Sequence, residues 1–349
     1  MRVPLSMVEL STVSPNRSET EALDESMRRA VELEALGYKR VWFAEHHLTP
    51  SHAGHSPELL IAAAAAMTSE IRVGSGAVLL NHYSPFKVAE SFQQLNAMFP
   101  GRIDLGLGRS YGGPVADVAL RRDRRSQPVD DHAQQVSEVV AWFHNAFPED
   151  HPFATRPMMP SVAGAPDTWL LGSSPSSAHL AAQLGIGYAF ATFINPAIAA
   201  DMLQLYRREF RPTPFGTGAP RAMLAVNTTC AENDEAGRHL VYCVKGFIAR
   251  LMRGVEDQGV PTPEVALTEL TDQQRDEATW VTPDGRWPRF VAGGPESVVE
   301  TLDRMVAESG ADELMIQDLI ADPHARFTSH RLVADAYGLV PRAELAGAH

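Results

Sequence analysis

Apolar runs of strand length alternate with amphipathic runs of helix length along most of this chain. Residues 3–10 form a short apolar run. From Glu19 to Leu36, Leu23, Met27, Ala30 and Val31 recur at helical spacing, and Gly37 stands where a helix should stop. Residues 40–44 read as a strand. Ser56-Pro57-Glu58 then opens a helix, with Ser56 as cap and Pro57 in the first turn. The alternation continues with strands over 71–80, 103–107, 168–171, 188–192, 222–229 and 313–317. Helices are expected over 86–98, 130–147, 175–184, 196–210, 234–252, 295–308 and 329–337.

About eight strand–helix pairs in strict alternation predict a parallel sheet closed into a (β/α)8 barrel, a single domain over 1–349. A doubly wound open sheet is the structural alternative. Two stretches break the pattern. Residues 147–166 carry five prolines and little periodicity. Residues 255–290 are polar, with Pro261, Pro263, Pro283, Pro288, Trp280 and Trp287, and read as a lid-like insertion.

Composition narrows the function. The chain has 349 residues, 44 % of them apolar, which suffices for a large core. Its formal net charge of −13 repels phosphate backbones, so nucleic acid is not an expected partner. The cluster Arg121, Arg122, Arg124 and Arg125 is interrupted by Asp123 and reads as a solvated face. Cys230 and Cys243 make no disulfide framework or metal motif. The greasiest stretch, 59–67, falls short of the ~20 residues that span a bilayer. No secretory signal is visible at the N-terminus. The expectation is a cytoplasmic protein without a membrane span.

In a barrel of this kind the active site lies at the C-terminal ends of the strands. The second strand runs into Glu45, His46 and His47, three ionisable side chains directly after Val41, Trp42 and Phe43. The third carries "VGSGAVLLNHYSP" and the fourth ends in "GLGRSYGG". The fifth ends in "GSSPSS", which runs into a helix. A helix start with Ser173, Ser174, Ser176 and Ser177 suits a phosphate, because free N–H groups and the positive end of the dipole face it. Serines there are also ordinary caps. Arg109 adds a charge that a cap does not need. "GLGRSYGG" is not a dinucleotide fingerprint, since Tyr111 stands where the third glycine belongs. His46, His47, His52 and His55 could suggest a metal. Metallohydrolase barrels need ligands at several later strand ends, and only Asp318 is so placed. General acid–base work is the stronger reading of the histidines, and no metal is expected.

The blocks "RVWFAEHHLTP", "IRVGSGAVLLNHYSPFKVAESFQQLNAMFPGRIDLGLGRSYG", "WLLGSSPSSAHLAAQLG" and "VAGGPESVVETLDRMVAESGADELMI" resemble the bacterial luciferase-like flavin-dependent monooxygenases. The resemblance runs nearly end to end and is strongest over 38–112. It implies a (β/α)8 barrel, reduced FMN delivered by a separate flavin reductase, O2 as oxidant, a small organic substrate and a homodimer. His46 looks like the family's catalytic histidine, with Glu45 and His47 orienting it. Arg109, Ser174 and Ser177 look like the flavin phosphate ligands, with Ser173 contributing its backbone. Gly76-Ala77 falls where family members hold a non-proline cis peptide against the flavin ring. The section from Gly106 through the helix 130–147 is closer to a single-chain branch that includes polyketide tailoring in antibiotic biosynthesis. Two rivals keep the fold: a deazaflavin-dependent hydride-transfer oxidoreductase, and a non-catalytic FMN-binding protein.

Overall fold

The expected strands pair, all in parallel. The structure is a computed structural model that describes residues 2–109, 112–121, 124–125, 129–161, 164–255 and 258–342. Its strands are β1 (Leu5–Glu9), β2 (Arg40–Phe43), β3 (Arg72–Ser75), β4 (Val78–Leu79), β5 (Ile103–Gly108), β6 (Asp167–Gly172), β7 (Gly187–Ala191), β8 (Ala222–Cys230), β9 (Phe290–Gly293) and β10 (Glu313–Gln317). The order β1-β2-β3-β5-β6-β7-β8 closes through β10, which pairs with both β8 and β1. These eight strands form a closed barrel with helices outside it, a (β/α)8 architecture. The open-sheet alternative is excluded.

Side-chain alternation builds the layers. Val41 and Phe43 of β2 face outward into the core shared with the helices, together with Leu5, Val73 and Leu105. Trp42 faces inward, where it meets Trp169 of β6 edge-on, ring centroids 5.7 Å apart. Each large side chain buried this way stabilises the fold by ~1.5–3 kcal/mol. Because helices cover the outside, strands such as β2 are buried on both faces and read as nearly continuous apolar runs.

Several elements depart from the expectation. The strand expected over 71–80 divides into β3 and β4, both paired with β5, and the peptide bond between them, Gly76–Ala77, is cis. The helix expected over 234–252 divides into Asp234–Leu240 and Tyr242–Met252. The last helix starts at Pro323, where Asp322 accepts from the backbone N–H of Ala325 at 3.0 Å. That aspartate–proline start was readable, but the expectation began at Ser329. A further helix, Pro114–Leu120, was not expected, and β9 lies along the second half of β8.

The 255–290 stretch contains helices Pro263–Glu269 and Asp272–Arg275 and buries Val260, Ala266 and Leu270 against the helix Tyr242–Met252. Among the described residues no helix is long and apolar enough to cross a membrane. Of the residues singled out above, Tyr111, Arg122 and Asp123 lie outside the described set, as do 343–349.

Candidate active site

The C-terminal ends of β1 to β7 and β10 surround a cavity of about 750 Å³. It is lined by the residues expected for catalysis and flavin binding: Glu45, His46, His47, Gly76, Ala77, Arg109, Ser173, Ser174 and Ser177. The volume is that of a site for a small molecule or cofactor.

Glu45 lies two residues beyond β2 and is nearly fully buried. Its Oε1 accepts from the Tyr83 hydroxyl and from His47 Nε2, each at 2.7 Å, and its Oε2 accepts from the Leu79 N–H at 2.9 Å. The carboxylate thus ties the end of β2 to β4 and to the turn after it, and fixes His47. Burial, then the Glu45 charge, pushes the Tyr83 hydroxyl well above its ordinary range, so it stays a donor. His46 lines the cavity, and its Nδ1 is buried without a hydrogen-bond partner. Burial, followed by His47 and His55, pushes His46 down to about 4. The site thus disfavours the charged form of this imidazole.

One wall of the cavity is bare backbone. Gly76, Gly108 and Gly172 present no side chain there. A Cβ on Gly108 would fall 2.9 Å from the Ala77 Cβ, and one on Gly172 only 2.1 Å from Ser177 Oγ. Close packing forces glycine at both positions and leaves a flat surface on which a ring could lie. Beside it starts the helix Pro175–Leu184. Ser174 is its N-cap residue, yet its hydroxyl makes no cap bond and meets Ser176 Oγ at 2.9 Å. The ordinary capping role is therefore not what these hydroxyls serve. Ser177 Oγ donates to the Ser174 carbonyl at 2.8 Å and lies 3.1 Å from the Tyr188 hydroxyl, which burial pushes up to about 12. Pro175 has no N–H, and the next free donors face outward at the positive end of the helix dipole. An anion fits there.

Arg109 follows β5 on the same cavity. Its guanidinium donates to Asp130 Oδ2 at 2.7 Å, and both side chains are substantially exposed. The arginine is thus at the rim, held by a carboxylate that an incoming anion would have to replace. Sequence reasoning missed Asp130, because nothing local distinguishes it from Asp131. It also missed His132, at the start of the helix His132–His144, and Phe193 and Ile194, in the loop after β7, all of which line the cavity.

Asp318, the one later strand-end residue noted for a metal, is fully buried behind the wall. It accepts from Arg326 Nε at 2.6 Å and His330 Nε2 at 2.5 Å. Burial alone would raise its carboxyl, but Arg326 and His330 hold it well below the carboxylate range. Among the described residues no group of three or more His, Cys, Asp or Glu side chains is arranged to hold a metal ion. Among the described residues, the 255–290 stretch contributes nothing to this cavity wall. Its residues 271–290 instead enclose a second cavity of about 760 Å³ with the helix Tyr242–Met252.

Known proteins share this arrangement of chain and barrel. The family profile described as luciferase-like monooxygenase matches residues 4–313. The chain is 31 % identical over 335 residues to N-acetyl-S-alkylcysteine monooxygenase of Bacillus subtilis, covering 96 % of this chain and 98 % of that one. The crystal structure of apo-MsnO8 is 38 % identical, with a TM-score of 0.87 over 98 % of this chain and 100 % of the other. The oxygenating constituent of 3,6-diketocamphane monooxygenase from Pseudomonas putida, a type II Baeyer–Villiger monooxygenase solved in complex with FMN, shares the fold at 20 % identity and a TM-score of 0.68, covering 98 % of this chain and all of that one. With a profile match over most of its length and a full-length relative above 30 % identity, this chain is an oxidoreductase that belongs to the luciferase-like monooxygenase family.

Proposed function

We propose that this enzyme uses reduced FMN and O2 to oxygenate a small organic substrate, by hydroxylation or epoxidation. The observation that carries the reading is one shared cavity. At its rim sit a guanidinium, Arg109, and a hydroxyl-rich helix start, Ser174 to Ser177; a neutral imidazole, His46, lines the same cavity. A flavin mononucleotide has a matching layout, with a dianionic phosphate at one end and a flat ring at the other. Arg109, the Ser173 and Ser174 backbone and the Ser177 turn would hold the phosphate. Gly76, Ala77 and Gly108 would lie along the ring, where a side chain would intrude. When bound, reduced FMN supplies the two electrons that split O2, one oxygen atom passing to the substrate and the other leaving as water.

The residues of this chain then have separate tasks. His46 holds a proton at the cavity side of its ring, next to the reacting atoms. Glu45 and His47 keep that part of the chain in place. Val8, Leu10, Leu170 and Met315 make the inner wall apolar and keep water out. The same walls favour a largely apolar guest, and a polyketide is the first class to test. A flavin reductase would be a transient partner. The two cysteines, both free and buried, suit a cytoplasmic setting. A homodimer is supported by apolar side chains left on the outside of two helices, Pro57–Met67 and Pro85–Met98: Leu59 is 69 % exposed, Met67 52 % and Met98 56 %. Analytical ultracentrifugation tests the dimer, with a monomer at micromolar concentration as the outcome against it.

The reading is tested by FMN titration and by turnover with reduced FMN under air. Oxygen consumption should match product formed, and Arg109→Ala should weaken FMN binding by roughly 10–100-fold, the loss of one charged hydrogen bond. Turnover with a reduced deazaflavin and no oxygen consumption would replace this reading with hydride transfer. FMN binding without turnover of any substrate in a broad panel would leave a flavin-binding protein.

A further inference from the structure

His46 does not stand alone at the cavity wall. Its ring lies 4.2 Å, centroid to centroid, from that of His52, with 23° between the planes. The loop after β2 folds back to make this contact. The His46 N–H donates to the Gly54 carbonyl at 2.9 Å, and Thr12 and His52 form an isolated antiparallel bridge. His52 is fully held. Its Nδ1 meets the Ser51 hydroxyl at 2.8 Å, which in turn meets Thr49 Oγ1 at 2.7 Å. Phe247 closes the other side of the ring, edge-on at 5.6 Å. His46 Nδ1 and His52 Nε2 are both buried without a hydrogen-bond partner.

Two imidazoles stacked this closely cannot both carry charge. Charging either one would also bury an N–H with no acceptor. The surrounding groups act in the same direction. His47 and His55 from the same loop face His46, and Arg326 from the helix Pro323–Tyr337 faces His52. The one nearby carboxylate in the loop, Glu45, is already engaged by His47, Tyr83 and Leu79. Burial first, then His46 and Arg326, pushes His52 well below the ordinary imidazole value.

The geometry points to His52 as a positioning residue for His46: its fixed ring holds His46 as a neutral imidazole whose proton sits on Nε2, the nitrogen left to the cavity. A proton on Nδ1 would have no acceptor, whereas one on Nε2 can meet solvent or ligand. His46 therefore offers a neutral N–H to an oxygen bound above the ring, and does so unchanged across the neutral pH range. This rests on His46 lying at the reacting end of the proposed oxygenase site.

Histidine-ring ¹H–¹⁵N spectra of the whole protein, recorded against pH without flavin, test it. His46→Ala assigns the His46 signals. In the unaltered protein His46 should show the Nε2–H tautomer and stay neutral down to about 4. His52→Ala should raise the proton affinity of His46 by on the order of tenfold or more, toward the ordinary value of ~6.5. His52→Phe keeps a flat partner and should leave His46 neutral. A purely structural His52 would lower stability without moving the His46 titration. An Nδ1–H tautomer, a His46 that charges near its ordinary value, or a His52→Ala protein with unaltered His46 titration overturns the inference. Should His52→Ala not fold, the tautomer and titration of the unaltered protein and of His52→Phe still decide. None of these readings needs flavin to bind, so a failure of the oxygenase reading shows separately, in the FMN titration.

Discussion

The two ends of the barrel hold polar groups in opposite ways. At the N-terminal ends of the strands, Arg40 of β2 is almost wholly buried between two carboxylates. It donates to Asp104 Oδ2 at 2.7 Å and to Glu313 at 2.7 and 3.1 Å. Trp42 Nε1 donates to Asp104, Ser6 and Lys39 donate to Glu313, and Arg221 pairs with Asp167 at 2.6 Å. No buried side-chain atom of this set lacks a partner. At the C-terminal ends, His46, His52, Thr192, Asn227, Thr229 and Gln317 each carry a buried polar atom with no partner. Buried polar groups are normally satisfied, and of these six His46 and Gln317 line the cavity, where a ligand could meet them. The floor holds the barrel together, and the mouth is left available for a ligand.

Breaking the floor should have the largest effect. Asp104→Ala leaves Arg40 and Arg72 facing one another without their shared carboxylate, and removing one partner of a buried pair costs about 3–5 kcal/mol. Urea unfolding should show this, with FMN affinity per folded molecule unaltered. At the mouth the order reverses. His46→Ala should lower product-forming turnover by roughly 10²–10⁴-fold, the range of one proton-handling group. Its unfolding midpoint should shift little, and FMN binding should stay within a few-fold.

Acid separates the two ends by pH. His46 and His52 have lowered values when folded, so the folded protein binds fewer protons than the unfolded chain below ~6.5. Their contribution to stability is lost as pH falls from there toward about 4. Arg40 and Lys39 hold Glu313, and Arg221 holds Asp167, below the ordinary carboxylate range despite burial. Their contribution persists until the pH falls below ~4. Hydrogen exchange across a pH series should therefore show the loop after β2 loosening before β2, β5 and β10 do. Simultaneous loosening would remove the distinction between the ends. The smallest effect is at the rim. Asp130→Asn frees Arg109 from an exposed ion pair worth about 0.2–1 kcal/mol, so FMN should bind up to a few-fold more tightly in calorimetry.

Much of the barrel could be read along the chain, because each strand is buried on both faces and each helix on one. Continuous apolar runs of strand length and a period of 3.6 then appear directly in residue type. Gly172, Ser173 and Ser174 before a helix, and Arg109 after a strand, were visible for the same local reason. What could not be read depended on contacts between distant segments. Asp318 looks like a mouth residue by position, and only Arg326 and His330 show that it is buried behind the wall. The tryptophan-bearing stretch 255–290 looks like a lid by composition. In the fold Val260, Ala266 and Leu270 pack against the helix Tyr242–Met252, away from the cavity.

The sequence by itself determined the order of strands and helices, and with it the end of the barrel where Glu45, His46, Arg109 and the serines must meet. Local residue preference and burial pattern carry that information without any long-range contact. Only the tertiary structure decided the protonation and pairing of those groups. Whether an imidazole is neutral or an arginine already bonded depends on His52, Asp130, Tyr83 and Arg326, and the chain brings them close only when the barrel shuts. Electrostatic energy falls with distance in space and is indifferent to separation along the chain.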